Sequence, residues 1–510
     1  MKKLMMGMMV AAAMVAEAKI ELATPFSDGM VLQRGRAVPV WGKAEPGRKV
    51  TVAFADGEAS TIACAKGCWK VMLPAMEASK ESRTLTVTES EIGWLWDSVL
   101  ETVEVKDVLV GEVWMCAGQS NTDCPVWGAS PRYRDGMGAM SIQTTVKPFV
   151  RLVKTPLVAS ATPRKGYAVK WTKMTPQDLD YAKGVRMPSA MGYYFALELA
   201  NALDIPVGLV DSSWGGTNID AWTPRSGYEG IAGLEGEKNW NLVDQKNWKD
   251  TMRKGPVSGW IQQPSALWNG MVAAYAPMAI RGFIWYQGCH NSSEYQRYCD
   301  KMHALYNGWA KEFKNPDLKL YFVQLAPWGY AGIANIQIAQ AKFDVEEKNA
   351  GMAVINDVGN LTDIHPNDKR TVAKRLALHA LKRDYGFDTV RDNSPTLKSW
   401  KIDGDKFVLS FNDAEGWYVY NPKMGDASVG FEIAGADGVF KPAKLVNAKL
   451  TPHYRTKKLE FKGVVEGKDL IVAADGVKEP KQLRYLFSNP WFGGLYNDVC
   501  LPLGAFAVGK

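Results

Sequence analysis

The sequence carries four short polar segments with the residue types that acyl-transfer chemistry requires. They are Gly118–Asn121, Ser212–Thr217, Gln287–Asn291 and Asp363–Pro366. Ser120 supplies a hydroxyl that becomes a nucleophile when a neighbouring base removes its proton. His365 supplies that base, and Asp363 supplies a carboxylate that can accept a hydrogen bond from the far imidazole nitrogen. This pattern predicts acyl transfer through Ser120, His365 and Asp363, with an acyl-enzyme intermediate.

The same segments supply donors for the negative charge that develops on the substrate carbonyl oxygen. The predicted donors are the backbone N–H groups of Ser120 and Gly216 and a side-chain amide from Asn291 or Gln287. Adjacent glycines at 215 and 216 would let the backbone approach the reacting centre closely. Gln119 and Trp214, from the first two segments, are the predicted substrate-binding residues.

Each segment taken alone also has a simpler structural explanation. A Gly-x-Ser run is common, and Thr122 occupies the second glycine position of the Gly-x-Ser-x-Gly nucleophile elbow. A histidine before a proline can cap a helix, and Asp363 can stabilise a helix N-terminus by roughly 0.3–1 kcal/mol. The order Ser, Gly, Asn, Asp-x-His along one chain is more specific than any of its parts, and it favours catalysis.

Predicted strands of a parallel α/β sheet position the four segments. Apolar strand-like runs lie at 108–116, 206–210, 280–286, 318–325 and 352–355. They alternate with helical patterns, including Met191, Phe195, Leu199 and Leu203 at four-residue spacing and a helix at about 367–383. Ligand sites in such sheets form beyond the carboxyl ends of the strands. We therefore expect the four polar segments to meet on one rim.

Changes along the sequence divide the chain into four predicted regions. Residues 1–18 are a predicted signal peptide, with Lys2 and Lys3 before an apolar stretch and a small-x-small cleavage site at 16–18. A β-sandwich-like N-terminal domain is predicted at 19–106, an α/β catalytic domain at 107–385 and a C-terminal β-rich domain at 386–510. We expect cleavage near Ala18–Lys19 and a periplasmic or secreted protein.

Composition excludes several classes of protein. The chain has 61 Lys and Arg against 54 Asp and Glu, a formal net charge of +7. No strong basic cluster accompanies that charge, so we expect no nucleic-acid partner. No segment after residue 18 is apolar over the ~20 residues that a membrane span needs. The five histidines and seven cysteines show no zinc spacing, so no metal site is predicted, although Cys64 and Cys68 flank a turn and could form a disulfide.

Further motifs extend along nearly the whole chain after residue 18. They are Pro25–Arg34, Val38–Gly42, Gly111–Trp114, Gly118–Asn121, Pro206–Leu209, Ser213–Thr217, Ala221–Trp222, Ile284–Gly288, Asp363–Pro366, Leu495–Asn497 and Leu501–Pro502. Together they resemble the sialate O-acetylesterase family of the SGNH-hydrolase superfamily. The resemblance implies a flavodoxin-like, three-layer SGNH-hydrolase domain flanked by N-terminal and C-terminal β domains. It also implies Ser120 and His365 as the catalytic pair, removal of O-acetyl groups (9-O-acetyl) from sialic acids, and no metal or organic cofactor.

Two positions depart from the family pattern. The third motif commonly reads Gln-Gly-Glu, whereas Cys289 stands at the acidic position here. Superfamily relatives often carry Asp three residues before His, whereas Thr362 stands there, so Asp363 is the better match and Asp357 the alternative acid. Two other functions stay open: hydrolysis of acetyl esters on xylan or pectin-type glycans, and non-catalytic glycan binding, which Cys289 favours. The sequence does not indicate the oligomeric state.

Overall fold

The computed structural model describes residues 20–128, 135–234, 251–252, 259–328, 332–360, 363–421, 429–452, 461–487 and 494–509. The predicted signal peptide and Thr362 lie outside these ranges. Within the described ranges, none of the helices combines the length and the apolar character that crossing a membrane requires.

Eight strands form the first part of the chain. They are β1 (Glu21–Leu22), β2 (Val31–Gln33), β3 (Val38–Lys43), β4 (Lys49–Phe54), β5 (Gly57–Ile62), β6 (Cys68–Leu73), β7 (Ser79–Glu91) and β8 (Ser98–Gly118). Strands β1, β3 and β6 form one antiparallel sheet, and β7 pairs antiparallel with both β4 and β8. Alternate residues of β4 are buried, because one face of a strand packs on the core while the other faces solvent.

Strand β8 runs from this β region into the centre of the molecule. Its N-terminal part pairs with β7, and its C-terminal part pairs in parallel with strands of the central sheet. The domain boundary predicted between residues 106 and 107 falls inside β8, where Asp107 has a φ of +56°. One continuous hydrophobic core extends from Ile20 to Ala380. The N-terminal strands and the central sheet therefore share one interior.

The central part of the chain contributes eight further strands. They are β9 (Lys147–Lys154), β10 (Val158–Ala159), β11 (Thr172–Met174), β12 (Val207–Ser213), β13 (Thr251–Met252), β14 (Gly282–Tyr286), β15 (Lys319–Val323) and β16 (Ala350–Ala353). The central sheet has the order β11-β9-β12-β8-β14-β15-β16. All neighbours from β9 to β16 in this order are parallel, and β11 is antiparallel to β9. The register aligns Gly118 with Ser213 on one side and Tyr286 on the other, so three predicted site segments leave the sheet together.

Helices flank this sheet. They are α1 (Ser120–Asp123), α2 (Gly138–Thr144), α3 (Ala190–Leu203), α4 (Tyr295–Glu312), α5 (Ile333–Glu346) and α6 (Lys369–Asp384). Short 3₁₀ segments lie at Tyr181–Lys183, Asp220–Trp222, Arg225–Tyr228, Gly259–Gln262 and Cys289–Glu294, and a π-helical turn lies at Trp268–Val272. Met191, Phe195 and Leu199 are buried on α3, as their spacing predicts. Helix α3 packs against α6, and α4 packs against α5.

The C-terminal region is antiparallel β structure with its own core. Its strands are β17 (Thr396–Asp403), β18 (Lys406–Asn412), β19 (Trp417–Asn421), β20 (Phe431–Ala434), β21 (Lys441–Leu445), β22 (Ala448–Pro452), β23 (Phe461–Val465), β24 (Leu470–Ala473), β25 (Gln482–Tyr485), β26 (Leu495–Asn497) and β27 (Phe506–Gly509). They form a seven-stranded and a four-stranded sheet around a second hydrophobic core. The predicted combination of a parallel central sheet with a β-rich C-terminal region is confirmed.

The predicted disulfide does not form. Cys64 and Cys68 flank the turn between β5 and β6, but both are free thiols, as are the other five cysteines. The Cys64 sulfur instead accepts from the backbone N–H of Lys66 and of Cys68, at 3.4 and 3.3 Å. These local contacts satisfy the turn without a covalent link.

Candidate active site

The turn after β8 presents Ser120 at the start of α1, half-buried. Gly118 has a φ of +138°, and a Cβ atom there would lie 2.4 Å from the Tyr286 carbonyl oxygen. Only glycine fits this position without displacing backbone. The Gln119 N–H donates to the Tyr286 carbonyl, and the Trp214 N–H donates to the Gly118 carbonyl, each at 3.1 Å. The turn is therefore held by the ends of β12 and β14.

Asn121 connects the turn that carries Ser120 to the segment that carries His365. Its side-chain amide nitrogen donates to the Ile364 carbonyl at 2.9 Å. Its amide oxygen accepts from the Lys369 Nζ at 2.6 Å. Asn121 and Lys369 are 2% and 0% exposed, so both contacts are shielded from water. They place the residue before His365 directly against the residue after Ser120.

The structure brings Asp363 and His365 together. The His365 Nδ1 lies 3.3 Å from the Asp363 Oδ1, and the His365 backbone N–H donates to the same oxygen at 3.0 Å. Asp357, the alternative acid, binds the Arg375 guanidinium through both carboxylate oxygens, at 2.6 and 2.7 Å. Of the two candidate carboxylates, Asp363 is the one in contact with the imidazole.

Gln287 is committed to internal hydrogen bonds. Its side-chain nitrogen donates to the Thr217 carbonyl at 3.1 Å and to the Asn291 Oδ1 at 2.7 Å, and its side-chain oxygen accepts from the Tyr298 hydroxyl at 2.7 Å. Both amide protons are therefore used. The structure gives Gln287 a bracing role between two loops, and the oxyanion contact that the sequence suggests for it stays a prediction.

Asn291 belongs to the same buried network. Its side-chain oxygen accepts from the Ile219 N–H at 3.0 Å, and its side-chain nitrogen donates to Glu294 Oε2 at 2.7 Å. The residue is 0% exposed. These contacts hold the loop after β12 against the Gln287–Asn291 segment. They also keep the Asn291 amide within this buried network.

The remaining predicted site residues differ in exposure. Gly216 is partly exposed with a φ of +72°, and its carbonyl accepts from the Gln262 side chain, which fixes the orientation of this peptide. Gln119 is buried, and its side-chain oxygen accepts from the Gly288 N–H at 3.1 Å, so it ties the first loop to the third. Trp214 is 1% exposed and packs in the core. In the structure Gln119 links two loops and Trp214 packs internally, and the substrate contacts predicted for them stay predictions.

A family model of carbohydrate esterases, the sialic acid-specific acetylesterases, matches residues 110–382. This match covers more than half of the chain and includes every predicted site residue. The chain belongs to this family.

Individual relatives agree with this assignment. The sialate O-acetylesterase of Rattus norvegicus is 29% identical over 420 residues, which cover 73% of this chain and 75% of the relative. That of Homo sapiens is 28% identical over 421 residues, covering 76% of this chain and 75% of the relative. A crystal structure of a carbohydrate acetylesterase from Xanthomonas citri is 30% identical, with a TM-score of 0.78 over 96% of this chain and 100% of that one. The chain is a carbohydrate esterase.

In this esterase the environment of His365 favours the neutral imidazole. Burial lowers the pKa of His365, and the nearby Lys369 cation lowers it further, whereas Asp363 opposes both effects. The Lys369 ammonium is fully buried, and burial lowers the pKa of Lys369 to about 8. A neutral imidazole can accept a proton, which is the state that a general base requires.

Cys289 occupies the position where the esterase family commonly has an acid. Burial raises the pKa of the Cys289 thiol to about 12, so this side chain is neutral at ordinary pH. It cannot supply the negative charge of a carboxylate. The acidic residue of this loop that contacts the site network is Glu294, which accepts from Asn291 and lies 3.1 Å from the Lys301 Nζ.

Asn121 and Lys369 are site residues for which the sequence predicts no individual role. Asn121 belongs to the Gly118–Asn121 segment, but nothing in the neighbouring sequence predicts its hydrogen bond with Ile364, which is 243 residues away. Lys369 had a detectable signal. It lies on the same face of α6 as Val372, Ala373 and Leu376, which are all buried. A lysine at the start of an apolar helix face indicates a buried and paired cation.

Proposed function

We propose that this esterase removes O-acetyl groups from sialic acids, with the 9-O-acetyl group as the principal substrate. The observation that carries the proposal is the Asn121–Ile364 hydrogen bond, because it links the residue after Ser120 to the residue before His365, which in turn contacts Asp363. The sialate O-acetylesterase relatives support the choice of sialic acid. The proposed catalytic residues are Ser120, His365 and Asp363.

The proposed mechanism begins when the neutral His365 imidazole takes the Ser120 proton. The Ser120 Oγ then attacks the acetyl carbonyl carbon, and Asp363 stabilises the imidazolium through Nδ1. Backbone N–H groups of Ser120 and Gly216 are the proposed donors to the oxyanion. The imidazolium gives its proton to the departing sugar oxygen, which leaves an acetyl ester on Ser120. His365 then takes a proton from water, which attacks the acetyl ester; acetate leaves, and the imidazolium returns the proton to the Ser120 Oγ.

The parallel central sheet supports a finer proposal about the fold. We assign residues 107–385 to the flavodoxin-like, three-layer SGNH-hydrolase type, with α helices on the two faces of the sheet. Three site segments leave the carboxyl ends of β8, β12 and β14, where open parallel sheets bind their ligands. The N-terminal and C-terminal regions are then β domains that flank the catalytic unit.

Acetate release from 9-O-acetylated sialic acid tests the function. Ser120→Ala should reduce kcat by roughly 10³–10⁶-fold, since members of a catalytic triad act as a unit. Ser399→Ala, at an exposed serine of β17, is the matched control and should retain full activity. Undiminished activity of Ser120→Ala would refute its assignment as the nucleophile.

A panel of acetylated glycans tests the substrate. We expect kcat/KM to be higher on acetylated sialic acid than on acetylated xylan or pectin. Equal or higher values on the plant polysaccharides would make those glycans the substrate in place of sialic acid. The similar protein from Xanthomonas citri is a carbohydrate acetylesterase, a class that includes both substrates. No acetate release from any of them by folded protein would favour glycan binding without catalysis.

We also propose that the esterase is exported, because the charged, apolar and small-residue pattern of residues 1–18 is typical of a signal peptide. Mass spectrometry of protein from a periplasmic or culture-medium fraction should give a mature N-terminus near Lys19. Protein that retains Met1 and stays in the cytoplasm would contradict export.

A further inference from the structure

Three metal-ligating side chains meet outside the active site, between α4 and α5. Cys299 and His303 lie on α4, and Glu346 lies at the end of α5. The Glu346 Oε2 is 3.3 Å from the Cys299 Sγ and 3.1 Å from the His303 Nε2. The ligating atoms of all three lie within 4.8 Å of one another.

The two separations that involve Glu346, 3.3 and 3.1 Å, are close to those around a tetrahedral zinc ion. Zinc binds sulfur at about 2.3 Å and nitrogen or oxygen at about 2.0–2.1 Å, so ligand atoms around it are about 3.3–3.6 Å apart. Cys299 and His303 are four residues apart on a helix and therefore share one face. The Cys299 and His303 ligand atoms lie within 4.8 Å of each other, so side-chain adjustment on α4 would complete the tetrahedral spacing.

The surroundings also suit a divalent cation. A thiolate and a carboxylate would neutralise the two positive charges, which favours a site that is partly shielded from water. The Cys299 side chain is buried, whereas His303 and Glu346 have exposed fractions of 24% and 41%, which leaves a path for the ion. The ring of Phe343 packs against His303 with centroids 4.7 Å apart and restricts the imidazole. Lys342 lies 3.7 Å from the other Glu346 oxygen, Oε1, so Oε2 remains directed toward the cysteine and histidine.

We propose that Cys299, His303 and Glu346 bind one Zn²⁺ ion, with water as the fourth ligand. The Cys299 thiol, which donates to Glu346 in the structure, gives its proton to solvent when the sulfur binds the metal. The role is structural. The Tyr298 hydroxyl, next to Cys299, and the Gln340 side chain of α5 both contact Gln287, so a metal joining α4 to α5 would stiffen the support of that loop.

Titration of chelator-treated, full-length protein with Zn²⁺ and Co²⁺ tests this site. We expect one equivalent of metal per chain, with a thiolate-to-cobalt charge-transfer band and the ligand-field spectrum of tetrahedral cobalt. Cys299→Ser should abolish the charge-transfer band. His303→Ala and Glu346→Gln should each weaken zinc binding at least about tenfold, since each removes one of three protein ligands.

A double variant, Cys64→Ser with Cys68→Ser, removes two neighbouring exposed thiols outside the proposed site and serves as the matched control. It should bind one equivalent with unchanged affinity. Glu346→Gln changes a half-exposed side chain, so the test does not depend on the folding of a core variant. Absence of the thiolate band, or zinc affinity unchanged in both Cys299→Ser and Glu346→Gln, would overturn the proposal.

Discussion

The proton of Ser120 must pass to His365, so the charge of that imidazole controls the proposed reaction. Burial and the Lys369 cation lower the pKa of His365, and the Asp363 carboxylate counteracts them. Lys369 therefore has two effects in the site. Its Nζ holds Asn121 in place, and its charge keeps His365 deprotonated at lower pH.

Replacing Lys369 by methionine should change the pH dependence of the esterase. Loss of the cation raises the pKa of His365. Because only the neutral imidazole is a base, activity disappears as the pH falls through this pKa, so the acidic limb of kcat/KM should move to higher pH. Lys369→Arg keeps the charge and should leave the limb in place. An unshifted limb in Lys369→Met, measured by acetate release across pH, would contradict an electrostatic role.

The two candidate acids can be separated by parallel substitutions. Asp363→Asn should lower kcat by about 10²–10⁴-fold with little change in Tm, because it removes the imidazole partner. Asp357→Asn should instead destabilise the fold by about 1–3 kcal/mol, because the largely buried Arg375 loses its carboxylate. Steady-state kinetics and thermal unfolding of both variants measure this difference. The opposite pattern would make Asp357 the triad acid.

At this scale, the residues that the sequence identifies best are those in local motifs. Asp363 and His365 are two residues apart, so their contact in the structure follows a predictable geometry. The internal hydrogen bonds of Gln287 have a long-range cause that local sequence does not reveal. Its amide protons are used by Thr217 and Asn291, and these bonds exist only after β12 and β14 have paired with the two sides of β8.

Among the elements, the turn between β8 and α1 is the most tightly constrained. Gly118→Ala would combine a positive φ with a contact of 2.4 Å to the Tyr286 carbonyl oxygen. We expect a loss of stability of about 2–4 kcal/mol and a loss of kcat, because the turn that presents Ser120 must shift.

Gly184→Ala is the control that separates backbone strain at a positive φ from the steric clash of the added Cβ atom. Gly184 has a φ of +75°, but a Cβ atom added there would meet no other atom within 4 Å. This variant should lose only about 1 kcal/mol and keep full activity. Scanning calorimetry and acetate release measure both properties, and equal losses in the two variants would argue against the crowding of Gly118.

Elements whose apolar residues are continuous were predictable, as β12 and β14 show. The runs at 147–154 and 333–346 were not predicted as β9 and α5, because buried polar residues interrupt their patterns. Arg151 is buried in β9, where it lies 3.1 Å from Asp107. Gln337 and Gln340 are buried on α5 and donate to carbonyl groups at the end of β15. Hydrogen bonds to residues distant in sequence compensate for burying these polar side chains, and the local sequence does not reveal those partners.

For the whole molecule, the two hydrophobic cores predict two cooperative units. One contains the N-terminal strands together with the central sheet, and the other contains the C-terminal sheets. Leu85→Ala in β7 and Leu409→Ala in β18 remove matched, fully buried side chains and should each cost about 2–5 kcal/mol. Leu85→Ala should lower the temperature at which esterase activity is lost, although β7 lies far along the chain from Ser120.

Leu409→Ala should lower the unfolding temperature of the C-terminal unit and leave the activity-linked transition less affected. Calorimetry combined with residual activity after heating distinguishes the two transitions. If Leu85→Ala left the activity-linked transition unchanged, the N-terminal strands would be an independent unit. A single transition that shifts equally in both variants would show one cooperative unit throughout.

The continuity of β8 also limits where the genes of such enzymes can be joined to make chimeric proteins. The same strand begins in the N-terminal sheet and ends two residues before Ser120, the proposed nucleophile. A gene fusion joined at residue 107 would separate the last part of β8 from the residues that continue its pairing with β7. We therefore expect the N-terminal β region and the central sheet to be exchangeable only as one piece, whereas a fusion point beyond α6 would leave the first core intact.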